Sequence, residues 1–156
     1  MLELAKETDF EAVNRLARQV TAHHAQWTPE LEVVEHPYPM DFFLACIKPD
    51  SIRENAIYVM RQEGRVVGYM RVYLWNTNST VSAKRTILSI DDLGVDEALR
   101  NQGIGTQMMA QLTVLAKEEW GCSSICLYVD ALNESARAYY EKCGFRVRNI
   151  GMTLRL

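Results

Sequence analysis

The spacing of hydrophobic positions changes several times along the chain, and each change predicts a different element. Residues 2–5 alternate weakly between apolar and polar and predict a first strand. Apolar residues recur at helical spacing from Val13 to Val20, which predicts a helix that ends near His23. Two N-caps fit its start: Thr8, which has a glutamate three residues later as in a capping box, and Asp9.

The middle of the chain predicts a short helix and a hairpin. Three prolines break any long helix over 29–39, and residues 40–49 form a short helical pattern that a proline ends. Two runs rich in Val, Tyr and Ile between 56 and 75 flank the sequence Gln-Glu-Gly-Arg, in which Gly64 can adopt a positive φ. We therefore expect a β-hairpin here, with a bulge near Gly68 inside its second strand.

The second half alternates between strand and helix patterns. Residues 86–95 predict a long strand, and an apolar face from Ile104 predicts a helix that stops at Gly121. A buried strand at 123–129, a short helix ended by Gly144 and one or two closing strands over 145–156 follow. The order predicts a single domain, residues 1–156, of mixed α/β (α+β) class around one sheet.

Charge and composition exclude several classes of protein. The 156 residues carry a formal net charge of -3, and 48% of them are hydrophobic. A general nucleic-acid binder is therefore not expected, because such proteins are usually basic. The chain shows no signal-peptide pattern and no apolar run near the roughly 18 residues that span a membrane, so we expect a cytoplasmic protein.

The cysteines and histidines do not predict a metal site. The 4 cysteines form no C-x-x-C pair, and we interpret them as reduced and mostly buried. Two of the 3 histidines are adjacent and the third is distant, which is poor ligand spacing.

The stretch L-R-N-Q-G-I-G-T-Q-M-M, residues 99–109, joins the long strand to the following helix. The first N–H groups of a helix lack internal partners and carry partial positive charge, and glycines let an anion approach them closely. The stretch therefore predicts a phosphate or diphosphate cradle with Arg100 as a supporting cation. A tight turn that merely needs its glycines for φ is the structural alternative.

Two other glycine motifs are absent. A dinucleotide fingerprint needs a third glycine at Met108, and no P-loop string occurs in the chain. A nucleotide-binding oxidoreductase is therefore disfavoured.

The stretch R-N-Q-G-I-G resembles the acetyl-CoA motif [QR]-x-x-G-x-[GA] of the GNAT superfamily of N-acyltransferases. The sequence N-E-S-A-R-A-Y-Y-E-K-C-G-F, residues 133–145, is similar to that family's later helix and strand. The resemblance covers 87–145 and implies a mixed, mostly antiparallel central sheet of six to seven strands flanked by about four helices. It implies acetyl-CoA as co-substrate and transfer of its acetyl group to a primary amine by direct attack in a ternary complex.

The resemblance also implies which residues hold coenzyme A. The diphosphate would sit on the main chain of the glycine stretch, and the pantetheine arm would add beside the preceding strand where it splays from the strand at 125–129. Asn133 would contact coenzyme A, although it is equally well placed as a helix N-cap. The implied cofactor-binding residues are Leu93, Gly94, Val95, Arg100, Asn101, Gln102, Gly103, Ile104, Gly105, Thr106, Asn133 and Tyr140.

Three residues are the implied catalytic groups. Tyr140 matches the family tyrosine that protonates the leaving thiolate, whereas Tyr139 is expected to pack in the core. Asp92 or Asp91 would take the proton of the amine, directly or through water, and we favour Asp92. Adjacent strand residues face opposite sides, so only one carboxylate points at the acceptor unless a bulge intervenes.

The family's acceptor pocket is built by the first two helices and the hairpin region. An acidic and aromatic mixture there suits a cationic amine without identifying it. The residues in question are His23, His24, Trp27, Glu30, Glu32, Glu35, His36, Tyr38 and Asp41.

Two further readings stay open. A non-catalytic acyl-CoA-binding module of the same fold, serving as a sensor or interaction partner, is the alternative to an enzyme. The apolar run 150–156 permits a homodimer of the kind this family often forms.

Overall fold

The computed structural model describes residues 1–28, 30–77 and 83–154. Its strands are Leu2–Leu4 (β1), Ala56–Gln62 (β2), Arg65–Asn76 (β3), Thr86–Val95 (β4) and Ser124–Leu127 (β5). Its helices are Phe10–His24 (α1), Met40–Cys46 (α2), Ile104–Glu118 (α3) and Glu134–Lys142 (α4). The strands form one sheet in the order β1-β2-β3-β4-β5, which is also their order in the chain.

The predicted hairpin between β2 and β3 is confirmed. Glu63 and Gly64 both have positive φ, at 49° and 78°, as a two-residue type I′ turn requires. The register of the two strands shifts beside Gly68, so the bulge predicted there is also confirmed. A Cβ at Gly68 would lie 2.6 Å from Sδ of Met108. The glycine therefore lets α3 pack directly on the sheet.

Apolar side chains cover both faces of the sheet. On one face, Val13 and Leu16 of α1 and Phe43 of α2 pack with strand residues of β2 and β3. On the other face, Met108 and Leu112 of α3 pack with strand residues of β2, β3 and β4. The result is a helix–sheet–helix arrangement of the mixed α/β class that the pattern predicts.

Strand β4, which lies between β3 and β5, has two irregular features. It pairs antiparallel with β3, but Arg71 pairs with Asp92 while Val72 pairs with Ile90, so Asp91 is an extra residue in the ladder. It pairs parallel with β5 only from Ile87 to Ile90. Beyond Ile90 the two strands no longer pair, which confirms the predicted splay and opens a cleft on that side of β4.

Some local predictions are wrong. The described residues form a five-stranded sheet instead of one with six to seven strands, because 145–154 form no strand. The alternating apolar positions there find no surface to cover: Val147, Ile150, Met152 and Leu154 are 68%, 84%, 94% and 83% exposed. Residues 155 and 156 lie outside the described residues.

Two further corrections concern a strand and a helix start. The strand predicted at 123–129 is shorter and only half-buried, because β5 ends at Leu127 and Tyr128 is 88% exposed. Neither predicted side-chain cap forms at α1, because no side chain caps that helix and Asp9 instead accepts a hydrogen bond from the Lys6 N–H at 2.8 Å.

The cysteines are free, but only Cys46 of the four is buried; Cys122, Cys126 and Cys143 are half-buried. Among the described residues, no helix is long and apolar enough to cross a membrane.

Candidate active site

A cleft of about 1020 Å³ opens where β4 and β5 separate. Leu93, Gly94 and Val95 line it on the β4 side, and the loop that leads into α3 lines its end. Residues of α1 and α4 complete its walls. The size is typical of pockets that hold cofactor-sized ligands.

The N-terminus of α3 is exposed to this cleft. Gly103 stands at the N-cap position with φ of 81°, and no side chain caps the helix within the described residues. A Cβ at Gly103 would meet no described atom within 4 Å, so this glycine is required for its φ and not for packing. The N–H groups of the first turn, at Ile104, Gly105 and Thr106, have no partner within the helix, and these three residues line the cleft.

Gly105 serves a different purpose. A Cβ there would lie 3.2 Å from the hydroxyl oxygen of Tyr139, tighter than ordinary van der Waals contact. The Tyr139 hydroxyl is buried against this glycine, and burial, followed by the neighbouring Cys143 thiol, raises the pKa of Tyr139 well above its ordinary value. Tyr139 thus packs α4 against α3, in line with its expected place in the core.

Most of the predicted cofactor-binding residues line the cleft. Arg100, Asn101 and Asn133 are among them. Gln102 is not, because its side-chain amide turns back to the carbonyl of Ala98 at 3.5 Å. Asn133 is 3% exposed, and its Oδ1 accepts the N–H of Ala136 at 3.1 Å. Its predicted role as the N-cap of α4 is confirmed.

The Asp92 carboxylate is held by two buried phenols. The hydroxyls of Tyr38 and Tyr69 each donate a hydrogen bond to its Oδ2 at 2.5 Å, and the Leu93 N–H donates to its Oδ1 at 3.0 Å. Burial, and next the Asp92 charge, raise the pKa values of both Tyr38 and Tyr69 far above the ordinary tyrosine value. Both phenols therefore stay protonated and act as donors to the carboxylate.

Asp91 has a different partner. Its carboxylate forms an ion pair with Arg71 of β3, whose other guanidinium nitrogen donates to Oδ1 of Asn55 at 2.9 Å. The guanidinium lies over the rings of Tyr38 and Phe42, 5.6 Å and 5.8 Å from their centroids. Both aspartates line the cleft, because the bulge interrupts the alternation of β4. The two carboxylates nevertheless differ. Arg71 neutralises that of Asp91, whereas the described groups that hydrogen-bond to Asp92 are the neutral donors Tyr38, Tyr69 and the Leu93 N–H.

Tyr140 lies on α4 in the same cleft. Burial is the main cause that raises its pKa to about 12, and the Asp92 charge is the next. Its ring packs edge-on against Phe145, 5.7 Å between centroids. A neutral phenol and a carboxylate that influence each other electrostatically therefore share the cleft.

The residues predicted for the acceptor pocket are only partly brought together. Of the predicted residues, His23 and His24 line the cleft, beside Thr28 and Leu31, and the Trp27 ring packs edge-on against His23 at 4.9 Å. Burial, and next the charge of Arg100, lower the pKa of His23. His36 instead faces Glu11 at 3.5 Å and stacks on Phe10, outside the residues that line the cleft. The other predicted residues are also not among the lining residues: Trp27, Glu30, Glu32, Glu35, Tyr38 and Asp41.

Comparison of the sequence with known protein families identifies the family. The model of the acetyltransferase (GNAT) family matches residues 14–145. The chain belongs to the GNAT family. An uncharacterized N-acetyltransferase from Methanocaldococcus jannaschii is 30% identical over 122 residues, which cover 78% of this chain and 70% of that protein.

Other relatives are more partial or more distant. A probable glucosamine 6-phosphate N-acetyltransferase from rice (Oryza sativa subsp. japonica) is 38% identical over 65 residues, 42% of this chain and 37% of that protein. A tetramutant of a Bacillus halodurans protein superposes with a TM-score of 0.90 at 25% identity, covering 100% of this chain and 99% of that one. An aminoglycoside N-acetyltransferase in complex with CoA shares this GNAT fold, with a TM-score of 0.72 at 15% identity over 100% of this chain and 93% of that one.

Sequence reasoning missed three residues around Asp92: Asn14, Tyr69 and Arg71. Tyr69 and Arg71 belong to a strand pattern that gives no sign of their partner across the sheet. Asn14 does give a signal in the sequence, because it is a polar residue on the apolar face of α1. In the structure it is fully buried. A polar residue on a core face predicts a buried hydrogen-bond partner, but not which one.

Proposed function

We propose that this GNAT protein is an acetyl-CoA-dependent N-acetyltransferase that acts on a primary amine. The observation that carries the proposal is the cleft itself. It joins an uncapped helix N-terminus, a phenol that stays protonated and a carboxylate whose hydrogen-bond donors in the described chain are neutral. These are the three elements that acetyl transfer from a thioester to an amine requires: an anion cradle, an acid for the leaving group and a base for the nucleophile.

The co-substrate is assigned to the β4–β5 side of the cleft. The diphosphate would bind the free N–H groups of Ile104, Gly105 and Thr106, with Arg100 as a supporting cation. The pantetheine arm would pair with the main chain of Leu93–Val95, which β5 leaves unpaired on that side. The Asn133 side chain would add to its N-cap role a contact with coenzyme A.

The reaction follows from these positions. The nitrogen of the neutral amine attacks the thioester carbonyl and forms the C–N bond, and Asp92 takes the proton that the nitrogen loses. The C–S bond then breaks, and the thiolate takes the proton of the Tyr140 hydroxyl. Products are the amide and free coenzyme A, and the proton on Asp92 returns through solvent to Tyr140. Asp91 is not needed as base, because Arg71 neutralises it.

The acceptor enters from the side formed by α1 and the segment that follows it. The carboxylate of Asp92 lines the cleft on this side and suits an amine held by charge. The rice relative, a probable glucosamine 6-phosphate N-acetyltransferase, and the aminoglycoside N-acetyltransferase support a small polar acceptor of this kind.

We also infer that two copies associate through 145–154. The support is the exposure of Val147, Ile150, Met152 and Leu154, because monomers rarely leave so many apolar side chains in water. Sedimentation velocity of the protein against a variant with Ile150, Met152 and Leu154 replaced by serine tests this: a dimer that becomes a monomer supports it, and two identical monomeric profiles overturn it.

The function is tested in two steps. Calorimetric titration with acetyl-CoA and with free coenzyme A should give saturable binding near one site per chain. A panel of polyamines, aminoglycosides, amino sugars, amino acids and peptides is then screened by thiol release. Turnover of any amine supports the enzyme. Binding without turnover on every class would instead indicate an acyl-CoA-binding module, and no binding at millimolar ligand would overturn both readings.

A further inference from the structure

Asn14 is a buried amide in an otherwise apolar layer. It lies on α1 between Val13 and Leu16 and is 0% exposed. Its side chain makes two hydrogen bonds to one residue: Oδ1 accepts the Tyr38 N–H at 2.8 Å, and Nδ2 donates to the Tyr38 carbonyl at 3.1 Å. Nδ2 also reaches the carbonyl of Phe10 at 3.2 Å. A buried amide lowers the stability of the fold unless its polar atoms are hydrogen-bonded, and here both Oδ1 and Nδ2 of Asn14 have partners.

The two bonds fix the main chain of Tyr38 in a segment that has no regular structure. Residues 31–39, between α1 and α2, form neither helix nor strand. Their main chain therefore lacks the ladder of hydrogen bonds that holds β3 and β4 in place. Asn14 supplies at Tyr38 the pair of bonds that a neighbouring strand would supply.

Tyr38 transmits this anchoring to Asp92. Its side chain is 7% exposed, its ring meets that of Tyr69 edge-on at 6.0 Å, and its hydroxyl donates to Oδ2 of Asp92. With Tyr69 donating to the same oxygen, both lone pairs of Oδ2 are used. Oδ1 receives the Leu93 N–H, and no other described group bonds to it. One lone pair of Oδ1 is thus left for an incoming proton.

We propose that Asn14 is a positioning residue for acetyl transfer, which acts through Tyr38 to hold the Asp92 carboxylate with Oδ1 toward the acceptor amine. The inference rests on the proposed function, because it assigns a task to the same carboxylate. The bulge at Asp91 explains why such anchoring is needed. Asp92 follows a break in the ladder, where the strand alone fixes its side chain less firmly.

The test is a double-mutant cycle in the full chain, with an amine that the parent acetylates. Tyr38→Phe removes one hydroxyl and should lower kcat/KM for the amine about tenfold or more, while KM for acetyl-CoA stays within about twofold. Asn14→Ala should cause a loss of similar size. In the double variant the second change should add almost nothing to the kinetic loss, because Asn14 acts through a hydroxyl that is already absent.

A purely structural role predicts a different result. Asn14→Ala would then lower the denaturant midpoint and reduce kcat/KM by the same factor in the parent and in the Tyr38→Phe variant. A double variant whose loss of kcat/KM is the product of the two single losses overturns the proposal. Tyr58→Phe is the matched control, since Tyr58 is a half-buried phenol of the same sheet that packs on Trp120. If Asn14→Ala does not fold, Asn14→Ser takes its place, because its short hydroxyl keeps one polar group at the buried site but does not bridge the N–H and the carbonyl of Tyr38.

The outcomes for the two proposals are separable. A parent protein that acetylates an amine, together with a Tyr38→Phe variant of equal kcat/KM, overturns only the positioning role. A parent that acetylates no amine overturns the proposed function, and this inference with it.

Discussion

The ring of Tyr69 lies against the main chain of Gly94, its partner across the β3–β4 ladder. A Cβ on Gly94 would be 2.5 Å from Cε1 of that ring and 2.8 Å from Cγ2 of Val20. The glycine therefore allows Tyr69 to lie flat enough on β4 to reach Asp92 with its hydroxyl. The same glycine that the sequence motif assigns to the pantetheine arm is also needed on the acceptor side.

Gly94→Ala is expected to damage both stability and turnover. The added methyl group overpacks a buried site, which costs about 1–3 kcal/mol of the free energy of unfolding. It also displaces Tyr69 from Asp92, so kcat should fall as well. Urea unfolding and steady-state kinetics check this. Gly151→Ala is the matched control, because a Cβ at Gly151 meets no described atom within 4 Å; it is compared once sedimentation shows that its association equals that of the parent. Equal behaviour of the two variants would refute the packing argument.

Asp92→Asn should abolish most of the activity. Loss of a general base costs about 10²- to 10⁴-fold in rate, while an amide oxygen can still accept the hydrogen bonds of Tyr38 and Tyr69, so the fold should persist. Asp91→Asn breaks only an ion pair with Arg71 that is partly exposed, and should cost less than about tenfold. Steady-state kcat/KM with a saturating second substrate makes the comparison. Equal losses in the two variants would contradict the assignment of Asp92.

Tyr140→Phe tests the acid. Removal of the proton donor should lower kcat about 10²-fold or more with little change in the affinity for acetyl-CoA. Its neighbour provides the matched control, since Tyr139→Phe removes a buried hydroxyl that faces Gly105. Unchanged turnover in Tyr140→Phe, measured by thiol release at saturating substrates, would refute its role as acid.

Gly105 and Tyr139 should be coupled. In Gly105→Ala the new methyl group lies about 3.2 Å from the Tyr139 hydroxyl, so α4 must shift and the affinity for coenzyme A should fall. Tyr139→Phe removes the crowded oxygen and should restore part of that affinity. Calorimetry on the four proteins of this cycle measures the coupling. If Tyr139→Phe restores nothing, the glycine is needed for approach of the diphosphate rather than for packing on α4.

The folded chain should lose stability at alkaline pH. Burial raises the pKa of five tyrosines, while in the unfolded chain they titrate near the ordinary value of about 10. Above about pH 10 the unfolded state therefore releases protons that the folded state keeps, so the free energy of unfolding falls as pH rises. Each group contributes up to about 1.4 kcal/mol per pH unit. The tyrosines are Tyr38, Tyr58, Tyr69, Tyr139 and Tyr140.

Urea midpoints at successive pH values above 8, together with tyrosinate absorbance, check this expectation. Below about pH 10 these tyrosines are protonated in both the folded and the unfolded chain, so they should not change the urea midpoint there. A midpoint that stays constant well above pH 11, or tyrosinate that forms in the folded protein with the ordinary midpoint, would contradict the burial of these hydroxyls.

Much of the fold follows from local patterns in the sequence. The hairpin at Gly64, the long strand before the glycine stretch and the helix stop at Gly144 each depend on residues close together in the chain, and each is present. The predicted closing strands are absent because a strand also depends on a partner surface from distant parts of the chain. Alternation over 145–154 indicates a strand only if a neighbouring surface buries one face, and the described chain provides none.

The site was predictable where a motif places several residues within one turn or loop. Gly103 and Asn133 have the local geometry that their spacing indicates. The partners of Asp92 were not predictable, since Tyr38 and Tyr69 lie 54 and 23 positions away in the chain. Only the register of β3 on β4 and the bonds from α1 bring them together.

Strand β4 also separates two groups of residues along the sequence. The described groups that bond to Asp92 or anchor Tyr38 all lie before residue 96, whereas α3, β5 and α4, which line the other side of the cleft together with Leu93–Val95, lie after it. Under the proposed function, substitutions before residue 96 would change how the acceptor amine is held, while α3 and α4 would continue to hold coenzyme A. A single crossover after β4 would then exchange the surroundings of Asp92 and leave the N-terminus of α3 and Tyr140 in place.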